Sequence, residues 1–192
     1  MDFRSTIIQA DKALFTLIND GGHSRFLDMP MLLLREPYAW VPLYIFLMVL
    51  VYRQKPSALL PFFTASLLTV AVTDYTSASI IKPFVARLRP CHTASLQEHL
   101  HVLAGCGGRY SFPSTHASNH FGLAASWFGF MLITRNTRWH WVWAWAFAVG
   151  YAQVYVGKHF PLDIAAGALL GMATGIWTTL VFKGWFLKST LR

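Results

Sequence analysis

The stretch IAAGALLGMATGIWTTLVFKGWF, residues 164–186, decides how the chain folds. Its one charge is Lys183, near the end. A helix rises about 1.5 Å per residue, so a run of this length covers the roughly 30 Å hydrocarbon core of a bilayer. Ala165, Ala166, Gly167, Ala168, Gly171, Ala173 and Gly175 crowd its first half. Small residues let a neighbouring helix approach closely, and packing is the role we assign to them.

Similar apolar segments recur upstream: Tyr38–Tyr52, Ala58–Ile81, Ser114–Ile133 and Trp139–Val156. Composition agrees with them. Hydrophobic residues make up 55% of the 192 and charged residues 12%, against about a quarter charged in soluble chains. A soluble domain of this size would leave large apolar patches in water. Residues 1–36 read as two amphipathic helices, broken at Asp20-Gly21-Gly22, the first of which could be a sixth span. The expected fold is all-α: one polytopic membrane helical bundle of five or six transmembrane helices, with residues 37–192 as its membrane body. The charges at Asp2, Arg4, Asp11 and Lys12 interrupt any signal-peptide core, so insertion is expected to use the internal segments.

The net charge is +8. Its basic residues stand singly or in pairs between apolar runs, which argues for membrane flanks and an anionic ligand and against a nucleic-acid partner. Arg53 and Lys55, Arg135 and Arg138, and Lys183, Lys188 and Arg192 fall on one side of the expected topology. The positive-inside tendency makes that side cytoplasmic. The loop between the second and third spans then faces outward with Cys91 and Cys106. A bridge between them suits an oxidising compartment, and two free thiols are the alternative.

Three clusters fall at the outer span ends. Lys82 is followed seven residues later by Arg89, in KPFVARLRP. Two helical turns would put both cations on one face, suited to a phosphate. The second cluster is Phe112-Pro113-Ser114-Thr115-His116. Pro113 suits the first turn of a helix and Ser111 its cap, while Ser114 and the free N–H groups would face an anion. His120 reads as an interfacial histidine. The third cluster places His159 four residues before Asp163. A carboxylate bordering a span needs a partner, and Asp163 could fix the His159 tautomer, leaving the other nitrogen nucleophilic. Asp74, within the second span, reads as a hydrogen-bonding partner of neighbouring spans. Cations, a helix-start hydroxyl and two histidines form the inventory for phosphoryl transfer.

These motifs resemble the type 2 phosphatidic acid phosphatase (PAP2) family, which also contains vanadium-dependent haloperoxidases. The family's Lys-x6-Arg-Pro is Lys82 to Arg89-Pro90. Its Pro-Ser-Gly-His is PSTH at 113–116, with Thr115 for Gly. Its Ser-Arg-x5-His-x3-Asp falls on AQVYVGKHFPLD at 152–163. The resemblance implies that His159 is the nucleophile, Asp163 its orienting partner and His116 the general acid. It implies that Lys82, Arg89, Ser114, Thr115 and the residue at 153 hold phosphate, with no metal or other cofactor. The substrate would be a membrane lipid phosphate: undecaprenyl diphosphate, a phospholipid phosphate or a lipid A phosphate. The location would be a bacterial inner membrane, with the site facing the periplasm or cell exterior. One departure stands out, because the third-motif Arg is Gln153. It costs the site a cation, for which Arg87, Arg109 and Lys158 are the candidates. A lipid-to-lipid phosphotransferase shares every motif. A transporter or scaffold would need no histidine pair, and a metal hydrolase would use His116, His120, His159 and Asp163 as ligands.

Overall fold

The computed structural model describes residues 2–191, which leaves Arg192 of the expected basic flank outside the described residues. The described residues form helices α1 (Phe3–Thr16), α2 (Arg25–Arg35), α3 (Val41–Gln54), α4 (Pro56–Tyr75), α5 (Lys82–Val85), α6 (Thr115–Arg135), α7 (Trp141–Tyr155) and α8 (Pro161–Leu191). A π-helical stretch, Thr76–Ile81, joins α4 to α5, so that Pro56–Val85 runs on as one rod. The rod ends where Ala86 takes a left-handed conformation, φ 50°, a common way to stop a helix.

α6 is the central helix, packed most extensively on α8 and also on α4 and α7. Trp127, Phe121 and Phe130 of α6 are almost wholly buried, together with Phe62 of α4 and Phe186 of α8. Several polar groups inside the bundle pair across helices. The Trp127 indole donates to Ser66 Oγ at 2.9 Å, and the hydroxyls of Thr69 and Thr178 pair at 2.8 Å. Buried polar groups without partners are costly in an apolar interior, so these bonds fix the register of α4 against α6 and α8.

The small-residue face of α8 meets the α6 backbone. A Cβ at Gly167 would lie 2.5 Å from the Ser114 carbonyl oxygen, and a Cβ at Gly171 would run into that of Ser118. Helix α6 carries the PSTH motif at its start, so this contact sets its distance from Asp163 on α8. Gly171→Ala is expected to destabilise the fold by about 1–3 kcal/mol, read as an earlier thermal melt in detergent. An unchanged melt would show that the close approach is dispensable.

Two helices are long and apolar enough to cross a membrane: Pro56–Val85 and Pro161–Ser189, with mean hydropathies of 1.5 and 1.6. Helices α2 and α3 meet that measure as a pair bent by 74°. The sequence reading separated Phe26–Leu34 from the first span, whereas the structure joins them at a sharp bend. Helix α7 has 15 residues, and α6 carries His116, Ser118, Asn119 and His120 in its first two turns. α1 is not a span of this kind either. It lies across the start of α8 and buries Asp11 and Phe15.

The basic ends gather at one pole. The Ser57 hydroxyl donates to the Ser189 carbonyl at 2.7 Å, and Lys55 and Arg135 border one small cleft. The opposite pole holds the three motif clusters.

Candidate active site

A cavity of about 660 Å³ opens at that opposite pole, and Lys82, Arg89, Thr115, His116, Gln153 and His159 all line it. Chain direction explains the convergence. α4–α5 and α7 end at this pole, and α6 and α8 begin at it.

Each side chain is held by its neighbours. Lys82, first residue of α5, donates from Nζ to Thr115 Oγ1 at 2.7 Å, and the Ser77 hydroxyl donates to the same oxygen at 3.0 Å. Arg89 lies in the loop after Ala86. Its Nε donates to the Gly108 carbonyl at 2.5 Å and its NH1 to the Lys158 carbonyl at 3.1 Å. That same NH1 stands 3.4 Å from Nε2 of His159. The loop that presents Arg89 is closed by a disulfide between Cys91 and Cys106, with Cα atoms 6.1 Å apart.

His159 sits in the α7–α8 turn. The turn begins with Gly157 at φ 81°, and the Gln153 carbonyl accepts the backbone N–H groups of Lys158 and His159 at 3.1 and 3.3 Å. Its Nδ1 stands 3.5 Å from Asp163 Oδ2 and has no hydrogen-bond partner. That is an ion-pair separation, longer than a hydrogen bond. Burial pushes the His159 imidazole down to about 4, with Asp163 pulling the other way. The ring is therefore neutral, with a free lone pair, at physiological pH.

Two of the expected residues stand behind the cavity wall. Ser114 is fully buried, and its Oγ accepts the Ala117 N–H at 3.3 Å as the cap of α6. The helix thus starts three residues later than a Ser111 cap would have it. Ser111 instead donates to the Arg87 and Leu88 carbonyls, where it ties the Arg89 loop to the α6 entrance. Asp163 is also fully buried, with Oδ2 accepting the Phe160 N–H at 2.9 Å. Its other oxygen pairs with Arg87.

Arg87 is a residue whose place the sequence reading did not anticipate. Its NH1 donates to Asp163 Oδ1 at 2.7 Å, its NH2 to Asp11 of α1, and its guanidinium lies 4.2 Å over the Phe160 ring. Asp11 Oδ1 also accepts the Leu162 N–H at 2.8 Å. An acidic residue inside the apolar stripe of α1 was the available signal for this seam. Asp74 has the interhelical partner expected of it, since Asn119 Nδ2 of α6 donates to it at 3.3 Å, and it also borders the cavity. The Nε2 of Gln153 is buried, lacks a partner and belongs to a residue on the cavity wall. His120 donates from Nδ1 to the His116 carbonyl at 2.8 Å.

Away from the charges the cavity becomes apolar. Tyr44 and Met48 of α3, Phe63, Leu67 and Val70 of α4, and Leu123 of α6 continue it toward the middle of the bundle. Lys82, Arg89, His116 and His159 beside an apolar groove, in a bundle of membrane helices, fit a membrane lipid phosphatase. The chain belongs to the PAP2 superfamily, whose family model matches residues 58–186. It is 34% identical over 160 residues to a lipid A 4'-phosphatase of Bacteroides thetaiotaomicron, covering 81% of this chain and 69% of that protein. It is 32% identical over 179 residues to a lipid A 4'-phosphatase of Porphyromonas gingivalis, covering 92% and 74%. The crystal structure of Aquifex aeolicus LpxE superposes with a TM-score of 0.61 at 25% identity, over 86% of this chain and 92% of that one.

Proposed function

We propose that the chain hydrolyses a terminal phosphate of a membrane lipid through a phosphohistidine intermediate. The observation that carries this reading is the position of His159 Nε2, 3.4 Å from the Arg89 guanidinium in a cavity that runs on into an apolar groove. Lys82, Arg89, Thr115 and the amide of Gln153 hold the phosphate oxygens, and the buried N-terminus of α6 behind Ser114 adds its dipole. His159 Nε2 attacks phosphorus. As the nitrogen–phosphorus bond forms, the bond to the lipid oxygen breaks, and His116 gives that oxygen a proton. Water then attacks phosphorus while His116 takes the water proton, and inorganic phosphate leaves His159. Asp163, anchored by Arg87, stabilises the charge that the His159 ring acquires.

The similarity to two lipid A 4'-phosphatases favours lipid A as substrate. An undecaprenyl-diphosphatase of Sulfolobus acidocaldarius, 29% identical over 136 residues, keeps a lipid diphosphate as the second choice. The clustering of basic ends at the opposite pole supports an orientation in a bacterial inner membrane with that pole in the cytoplasm and the site facing the periplasm. The test is phosphate release from purified lipid A, undecaprenyl diphosphate and a phospholipid phosphate in detergent, with His159→Ala as blank. Release from none of them, or equal release by the blank, overturns the reading. Transfer of the phosphate to an added lipid acceptor without free phosphate would mark a phosphotransferase. Activity lost to a strong chelator would point to a metal hydrolase.

The pH profile is a separate check. A nucleophile with a pKa lowered to about 4 stays competent as acid is added and is lost only as pH falls through that value. The acid limb of kcat/KM is expected near pH 4 rather than near the 6.5 of an ordinary histidine. A limb at 6.5 in the wild type, carried by His159, would contradict the buried neutral ring.

A further inference from the structure

Position 153 lacks the cation that the third motif brings in the PAP2 superfamily, and the structure directs each of the sequence's three substitutes elsewhere. Arg87 is bound on both sides, to Asp11 and Asp163. Lys158 turns its Nζ to the Gly105 carbonyl, so its ammonium tethers the disulfide loop. Arg109 is exposed and does not line the cavity. A fourth candidate, again an arginine, lines it. Arg35, the last residue of α2, stands on the same wall set as Arg89, Gln153, Lys158 and His159.

Its side chain is only 15% exposed. NH1 donates to Glu36 at 2.9 Å, while Nε is buried with no hydrogen-bond partner. A buried guanidinium nitrogen left unpaired is costly unless an anion completes it. The 74° bend between α2 and α3 falls directly after this residue and turns the helix end onto the cavity. The Arg35 charge is also felt by the other cations. Burial lowers Lys158 to about 8, with Arg35 and then Arg89 adding to it, and burial lowers Arg89 with Arg35 contributing. Mutual repulsion among cations around an open cavity is relieved when a phosphate dianion enters.

We propose that Arg35 supplies the phosphate-binding charge missing at position 153, so that Lys82, Arg89 and Arg35 together hold the anion while Gln153 contributes a neutral donor. Resting on the phosphatase reading above, it assigns a substrate-binding role to a residue outside the region that matches the family model, residues 58–186. It also accounts for the uncharged Gln153. An arginine at 153 would add a third guanidinium beside Arg89 and Arg35, so a cation entering from α2 favours an amide there.

The test uses the full chain and two readouts: inhibition by orthovanadate, a mimic of the phosphoryl-transfer geometry, and KM against kcat on the best lipid substrate. Loss of one charge-assisted contact is expected to weaken orthovanadate and raise KM by about ten-fold or more in Arg35→Ala. Adding Gln153→Arg to that variant is expected to recover most of the loss, while Gln153→Arg alone gains little. Arg35→Gln keeps a hydrogen-bond donor and drops the charge, and it is read in the same way should the Ala variant melt early. Unchanged orthovanadate inhibition in a folded Arg35 variant overturns the proposal. So does a loss that Gln153→Arg leaves unrepaired. A wild type with no activity on any lipid would instead overturn the phosphatase reading, because orthovanadate binding can be followed without turnover by its effect on the melting temperature.

Discussion

His159→Ala is expected to cut phosphate release by about 10⁴-fold or more, down to the little that binding and charge stabilisation give without a nucleophile. The expectation rests on where the two ring nitrogens point. Nε2 faces Arg89, where a phosphate would sit, and Nδ1 faces the Asp163 carboxylate. His120 also lines the cavity, but its Nε2 is buried and its ring is packed 4.7 Å from the Trp145 ring. Orthovanadate should still bind the Ala variant, because Lys82, Arg89 and Thr115 are untouched. His116→Ala should behave differently. Its loss, roughly 10²–10⁴-fold for a general acid, should shrink with a leaving group that departs without a proton. Measuring both variants with a lipid phosphate and an aryl phosphate separates the two roles. Equal losses on both substrates would remove His116 from the acid role, and a phosphorylated histidine trapped in His159→Ala would remove His159 from the nucleophile role.

Arg87→Met should be the most destabilising of the substitutions considered. It strands two carboxylates, Asp163 at 0% and Asp11 at 1% side-chain exposure. Breaking a buried ion pair by removing one partner costs about 3–5 kcal/mol, because the remaining charge stays behind without compensation. The loss should appear as a lower melting temperature together with reduced kcat, since Asp163 is then free to leave His159. Adding Asp11→Asn should return part of the stability by removing one of the stranded charges, while leaving kcat low. A double variant no more stable than Arg87→Met would mean that the two pairs do not act as one network.

Much of this arrangement was legible from residues alone. The apolar runs gave the helices, the basic flanks gave two distinct poles, and the motif spacing gave Lys82, Arg89, Thr115, His116, Gln153 and His159 as one wall. These features are periodic or local, and local rules read them. What stayed hidden depends on long-range placement. Asp11 interrupts the apolar stripe of α1 but only the docking of α1 names its partners, Arg87 and the Leu162 N–H, while Arg35 looks like an ordinary polar residue of an amphipathic helix. The use of Ser114 as a cap, and of Ser111 as a clasp for the Arg89 loop, was a choice between two neighbouring serines. The cis Phe112–Pro113 bond lies between them, and no pattern in the sequence announced it. The apolar groove was invisible because residues such as Tyr44, Met48 and Leu67 look like any other helix surface.

The Asp11–Arg87–Asp163 seam bears on when the enzyme can begin to work. Asp11 meets the Leu162 N–H across 151 residues of sequence, so it is made long before its partner and must wait for it. Contacts of such separation form late, after the loops between them have closed. A partly inserted chain would hold Lys82, Arg89 and His116 without an anchored Asp163. With Asp163 in the role proposed for it, catalytic competence depends on completion of the bundle, and α1 serves as its latch.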